Sequence, residues 1–307
     1  MSAVTPPLPA HVSPPVPRPR RWLPRPERLL TSVVITLAAA SIVIPVVWVL
    51  AASMKEKGEF YGNPWTLPKG FHLQNYVDAF VKARMGEYFL NSVMVTALAL
   101  VIVLVVAVPA SYVIARYDFP GKSWVQTALQ AGLFINVNYI VVPIFLMLIG
   151  WDKALINLAP DGLFIDNRIV LSLVYAATTI PFTVYLLSNF LTTIPLDYEE
   201  AAVIDGASRF SAMTRIILPM ARPAVTTVIL FNFLAYWNDF IIALTLLPGK
   251  HKTLQVGLLN LMTAQRAAAD YGRLYAGMVI VMAPVLVFYA IIQKRLIEGM
   301  TTGGVKG

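Results

Sequence analysis

The chain has 307 residues, 58% of them hydrophobic and 13% charged, and its mean hydropathy of +0.69 is far from the balance of water-soluble domains. Its net charge of +8 lies in loops and tails rather than on one amphipathic face, which argues against a nucleic-acid partner. There is no cysteine, and the three histidines, His11, His72 and His251, are far apart in sequence, so a disulfide framework is excluded and no metal is expected.

Residues 1–28 contain nine of the chain's 22 prolines, with Arg18, Arg20, Arg21 and Arg25 close to the first apolar run. That composition buries too little apolar surface to fold and predicts a disordered cytoplasmic tail. Six apolar runs follow, at about 29–53, 89–115, 124–150, 168–192, 221–247 and 274–293. Crossing a hydrocarbon core of ~30 Å takes ~20 residues, so each run is long enough. A segment in lipid must satisfy its own backbone polar groups, and the expected class is therefore all-α, a polytopic membrane protein with six transmembrane helices over 29–293.

Ala51-Ala52-Ser53 imitates a signal-peptidase site. The apolar run before it is about 25 residues, longer than the roughly 7–15-residue core of a cleaved signal, so the first helix is expected to be retained. The arginines before it favour a cytoplasmic amino terminus, and six spans return the segment 294–307 to the same side as a cytoplasmic tail.

Polar residues punctuate the later spans. Asn136, Asn138, Thr178 and Asn232 can glue helices together or line a hydrophilic translocation path. In Trp237-Asn238-Asp239 the tryptophan could stack on the ring of a ligand and the amide bond its hydroxyls. An ionised carboxylate at 239 must face the bundle or a wet cavity, and a structural hydrogen bond between spans serves it equally. Prolines at 45, 109, 143, 181 and 284 predict kinks. Gly121-Lys122-Ser123 is no phosphate-binding loop, because the required glycine five positions earlier is Arg116 and a membrane helix precedes it.

The hinge at 195–219 reads as two short helices. Asp197 with Glu200 predicts a capping box, Gly206 a left-handed stop, Ser208 the cap of a second helix from about Arg209 to Ile217, and Pro219 its end. Ala201, Ala202 and Ala207 predict a low-relief surface on which another protein can sit.

Glu200-Ala201-Ala202, three residues, Gly206, nine residues, then Ile216-x-Leu218-Pro219 resembles the signature of permease subunits of binding-protein-dependent ABC importers. The end of the chain, Gln293 to Gly307, looks like that of maltose-type carbohydrate importers, and of their smaller six-span subunit. Asn91-Ser92, Ala115-Arg116, Phe119-Pro120-Gly121-Lys122 and Trp237-Asn238-Asp239 are similar to the same group. The likeness covers roughly 30–307, with a family core at about 89–293.

The resemblance implies a type I ABC importer permease fold in a bacterial or archaeal cell membrane. It implies no catalysis and no cofactor in this chain, with ATP and Mg on a partner ATPase dimer. The other implied partners are a second six-span permease, an extracytoplasmic solute-binding protein, membrane lipid and a sugar substrate. By the same likeness Glu200, Ala201, Ala202, Asp205, Gly206, Ala207, Ile216, Leu218 and Pro219 form the ATPase-coupling loop. Glu200 is the expected charge contact. The alternative is an ion-coupled secondary transporter or channel, a class that usually shows related halves and midplane ionisable residues; no internal repeat is visible and Asp239 stands alone.

Overall fold

The structure, a computed structural model, describes residues 26–303 apart from 159, 161 and 269, and side chains within 28–264 and 270–293. The tail expected over 1–28 lies outside the described residues up to residue 25, as do residues 304–307. Every described element is a helix, with no strand among them. Contacts divide the chain between Val47 and Trp48. The first unit is the run of α1 (Pro26–Ser53) before Trp48, apolar on all sides, as a helix surrounded by lipid requires.

The second unit opens on the last turns of α1 and a tightly bonded connection. Ser53 is buried and its Oγ meets the Tyr76 hydroxyl at 2.6 Å, so the Ala-Ala-Ser patch is a packed helix end. Lys55, 1% exposed, donates from Nζ to the carbonyls of Asn63 and Pro64, which satisfy a buried ammonium without a carboxylate. Between them lies α2 (Lys57–Gly62), which stacks Phe60 on Tyr271, ring centroids 4.7 Å apart. The connection ends in α3 (Gln74–Val77), which runs into a π-helical turn, Asp78–Lys82. Asp78 accepts from Gln74 and Lys82 and pairs with Arg273, and these donors hold its carboxyl below the usual range.

The scaffold is α4 (Met85–Arg116) against α7 (Arg168–Thr192), the most extensive helix pairing among the described residues. Ala99, Ala107, Ser111, Ser172 and Ala176 are fully buried along it, letting the backbones approach closely. The expected fourth span, 168–192, coincides with α7.

The third expected span does not survive as one helix. Residues 124–150 divide into α5 (Lys122–Leu133) and α6 (Val137–Ala154), and only α6 is long and apolar enough to cross by itself. Asn136 interrupts them: its side chain accepts from the Asn138 amide and caps α6. The α5 backbone instead lies against α7 at Gly132, where an added Cβ would stand 2.9 Å from Pro181 Cγ. Span five is likewise not 221–247. It is α11 (Arg222–Asn238), joined at 77° to the hinge segment Arg209–Met220, while α12 (Ile241–Leu246) is a separate short helix. Counted with that bent pair, the described residues hold up to six spans. After α13 (Leu254–Ala268), α14 (Tyr271–Gly303) contains the sixth expected span and stays helical well past residue 293.

The chain turns out of α11 at Asp239, whose Oδ2 accepts from the Tyr175 hydroxyl at 2.7 Å and from the Ala243 amide at 3.0 Å. One carboxylate therefore ends α11, starts α12 and ties both to α7, which is the structural role rather than an open midplane charge. The Tyr175 ring stacks on Tyr236 at 5.3 Å and 2°. Tyr175→Phe keeps that stacking and removes only the donor, so detergent-solubilised protein should lose ~1–3 kcal/mol of stability. A thermal unfolding midpoint equal to the parent's would show that Asp239 does not need this donor.

Candidate coupling site

A proline at 195 follows the end of α7, and α8 (Asp197–Ile204) begins directly after Leu196. The expected capping box is not formed. Leu196 already has helical torsions and no side chain caps the end. The Glu199 and Glu200 amides donate to the Leu196 carbonyl, which places Asp197 inside the first turn. There Asp197, Glu199 and Glu200 still face the positive end of the helix dipole.

The other end of α8 is as the sequence predicts. Gly206 takes φ +84°, its amide donates to Val203 and the Ala207 amide to Ala202, the paired bonds of a Schellman stop. Nothing lies within 4 Å of a Cβ built on Gly206, so its requirement within this chain is backbone conformation rather than space. Ser208 caps α9 (Arg209–Ala212) by accepting from the Ser211 amide at 3.2 Å.

Pro219, expected to close that helix, does not. A π-helical turn, Met213–Ile217, leads into α10 (Leu218–Met220), and Pro219 sits in the first positions of that new turn, where its missing N–H costs nothing. The break falls instead at Ala221. The alanine surface is also narrower than expected, since Ala202 is 5% exposed and faces inward, leaving Ala201 exposed and Ala207 half-buried. Ile216, Leu218 and Pro219 are half-buried and Ile217 is buried, with Ile216 and Ile217 packing against Tyr112, Leu191 and Met213. That end of the signature is core, while Glu200, Ala201, Asp205 and Gly206 are its exposed part.

The two adjacent glutamates part company. Glu200 is exposed, with no side-chain partner among the described residues. Glu199 turns inward to the end of α4: its Oε1 lies 2.6 Å from Arg116 Nε, and its Oε2 accepts from the Tyr112 hydroxyl at 2.7 Å. The Arg116 and Glu199 side chains are 4% and 13% exposed. The Arg116 N–H is not aimed at the oxygen, so the contact is charge against charge rather than a linear hydrogen bond. Sequence reasoning passed over Glu199; only the helical phase of an eight-residue segment tells it from Glu200.

The residues expected along a path do not form one lining within this chain. Asn136 and Asn138 are exposed at the start of α6. Thr178 bonds the Tyr175 carbonyl of its own helix. Asn232 is 2% exposed and joins α11 to α7 through Thr183. Trp237 is 3% exposed, donates to the Val281 carbonyl and is walled by Phe89 and Phe233, so its ring has no face free for a sugar. Asn238 is exposed but bonds back to Leu234.

One group among the described residues has the spacing to hold a metal ion, Glu56, Glu59 and His72. The histidine meets the two carboxylates through opposite ring nitrogens, at 3.6 and 3.7 Å, and a single ion can engage only one of those nitrogens.

Residues 17–302 match the family described as binding-protein-dependent transport system inner membrane component. The diacetylchitobiose uptake system permease protein NgcG of Streptomyces coelicolor is 35% identical, over 89% of this chain and 87% of its own length. The trehalose transport system permease protein SugB of Mycobacterium tuberculosis is 31% identical, over 89% of this chain and 95% of its own. Among solved structures, a chain of a bacterial ABC transporter that imports the acidic polysaccharide alginate superposes with a TM-score of 0.74 at 21% identity, covering 89% of this chain and 98% of that one.

Because an αL glycine tolerates asparagine but not a β-branched residue, Gly206→Asn should keep the α8 stop and Gly206→Val should strain it. Limited trypsin cleavage at the exposed Arg209 would report the difference, faster in Gly206→Val and near the parent rate in Gly206→Asn. Equal rates in all three would remove the torsional argument.

Proposed function

Because the chain belongs to the family of binding-protein-dependent transport inner membrane components, a multi-pass and non-enzymatic family, we propose that it is one permease of a sugar importer driven by ATP hydrolysed on separate subunits. The observation that carries this reading is α8. It is a short exposed helix whose Glu200 carboxylate has no partner among the described residues, closed at its end by a Schellman stop and held to the end of α4 by a buried ion pair. A helix built that way suits the reception of a soluble partner and the transfer of its motion.

In this proposal the α8 faces of this chain and of a second six-span permease enter clefts of a cytoplasmic ATPase dimer, which carries ATP and Mg. Closure of the dimer draws the two α8 helices together and opens the bundle outward, where a solute-binding protein delivers its load. Hydrolysis reverses the motion. Both termini and the hinge at 195–219 are then cytoplasmic, with residues 1–28 and 294–307 as tails flanking the permease domain 29–293. Glu200, Ala201, Asp205, Gly206 and Ala207 would make the contact, with Ala202, Ile216, Leu218 and Pro219 supporting it from the core.

The substrate class follows from the relatives, whose names specify diacetylchitobiose and trehalose, so a mono- or oligosaccharide is proposed here. Exposed Asn238, with Asn136 and Asn138, would be the contribution of this chain to the path; Thr178 and Asn232 are committed to helix contacts, and Trp237 and Asp239 would brace the wall behind it. Gradient-driven transport finds less support, because Asp239 already accepts two hydrogen bonds and offers no free carboxylate for a coupling ion.

Reconstituted alone in liposomes, the chain should accumulate no sugar under a proton or sodium gradient and should hydrolyse no ATP. Uptake should require the second permease, the ATPase and the binding protein together. Gradient-driven accumulation by this chain alone would overturn the proposal. Glu200→Ala should reduce ATPase copurified from detergent, since losing a charged interfacial partner costs ~2–5 kcal/mol. Undiminished recovery would remove Glu200 from the interface.

A further inference from the structure

Tyr112 and Arg116 stand four residues apart, one helical turn, at the end of α4. Both converge on Glu199, one on each carboxylate oxygen. Beside them the Tyr112 ring meets Tyr117 edge to face, and the Arg209 guanidinium of α9 lies 5.1 Å above the Tyr117 ring. The end of span two is therefore held from both short helices of the hinge. Arg116 has no other acidic partner, and its Nη2 no hydrogen-bond partner, among the described residues.

The remaining contact between hinge and spans is the apolar cluster of Tyr112, Leu191, Ile194, Met213 and Ile217. Apolar burial is non-directional and tolerates sliding, whereas a charge-assisted contact fixes position and distance. Among the described residues, displacement of α8 along the end of the bundle meets a charge-assisted contact at Glu199. From this geometry we infer that Glu199, Arg116 and Tyr112 are positioning residues that deliver the movement of α8 to α4, so that breaking the clasp uncouples ATP hydrolysis from transport without disturbing the docking face. The inference rests on the reading of α8 as the ATPase contact. It assigns a purpose to the Ala115-Arg116 motif, which the docking surface does not use.

The test uses the complete importer in proteoliposomes, with ATP hydrolysis and sugar uptake measured on the same preparation. Glu199→Gln and Arg116→Gln should each lower sugar moved per ATP by roughly tenfold, within the ordinary range of coupling between sites, while hydrolysis persists. Tyr112→Phe keeps the ring in its cluster and should show the same split in smaller measure. The exchange Glu199→Arg with Arg116→Glu restores opposite charges and should recover part of the ratio. A loss of copurified ATPase, or a parallel fall of hydrolysis and uptake in Tyr112→Phe as well as the glutamines, would reduce the clasp to a folding contact and overturn the inference. An unchanged ratio in all three would do the same. If Glu200→Ala leaves ATPase binding intact, the parent reading fails; if Glu200→Ala behaves as proposed while the Glu199 variants stay coupled, only the clasp falls.

Discussion

The close approach of α4 to α7 is the constraint on which the other elements depend. Alanine and serine occupy the seam, and the serines bond across it or along it: Ser172 Oγ donates to the Val95 carbonyl of α4 at 3.2 Å, and Ser111 Oγ to the Ala107 carbonyl of its own helix. Between lipid and protein there is little hydrophobic gain for a helix to collect, so backbone proximity and hydrogen bonds must do what apolar burial does in water. With that pair fixed, α5 lies on α7 at Gly132, α11 lies against both, and Asp239 has a tyrosine within reach. A larger residue at Ala99 or Ala176 would move every one of these contacts.

The hinge shows the same economy in a polar setting. Four backbone bonds and one serine shape it, the Leu196 carbonyl receiving two amides, Gly206 and Ala207 closing α8, and Ser208 opening α9. Ala202, Ala212, Met213 and Ile217 are buried, while Val203, Ile204 and Phe210 face out beside the short polar residues. Because α8 has little amphipathic character, burial alone does not fix its rotation; the contact of Glu199 with Arg116 does. Removing one member of so buried a pair strands the other at a cost of about 3–5 kcal/mol.

Much of this was legible in the amino-acid order and some was not, for identifiable reasons. Span four was readable to the residue because polar Asn167 caps it and Pro195 follows it. Gly206 and Ser208 were readable because each turn chemistry admits few residues. The division of span three was hidden, since Phe134 and Ile135 are as apolar as the helices on either side, and Asn136 is equally at home as a cap or as a polar residue within a helix. Asp197 misled because leucine at 196 is an unusual helix start, yet the leucine carbonyl accepts both glutamate amides. Trp237 read as a stacking platform from its neighbours, whereas two aromatic contacts and a carbonyl consume it.

The π-helical turn at Met213–Ile217 carries a further consequence. An α-helix turns through about 100° per residue, and a wider turn absorbs one residue more than regular winding would. The segment 213–217 thus holds one residue more than regular winding would over the same angle. Loss of one residue between 213 and 217 would restore regular winding while leaving composition and hydropathy nearly unchanged. The helices on either side would keep nearly their present phase, because five residues of the wider turn sweep about the same angle as four of regular winding, and α9 would stay on Tyr117. Chain length is therefore tolerant at this turn and strict on either side of it: one residue more or fewer here is taken up by the width of the turn, whereas the same change inside regular winding would swing one end against the other by about 100°.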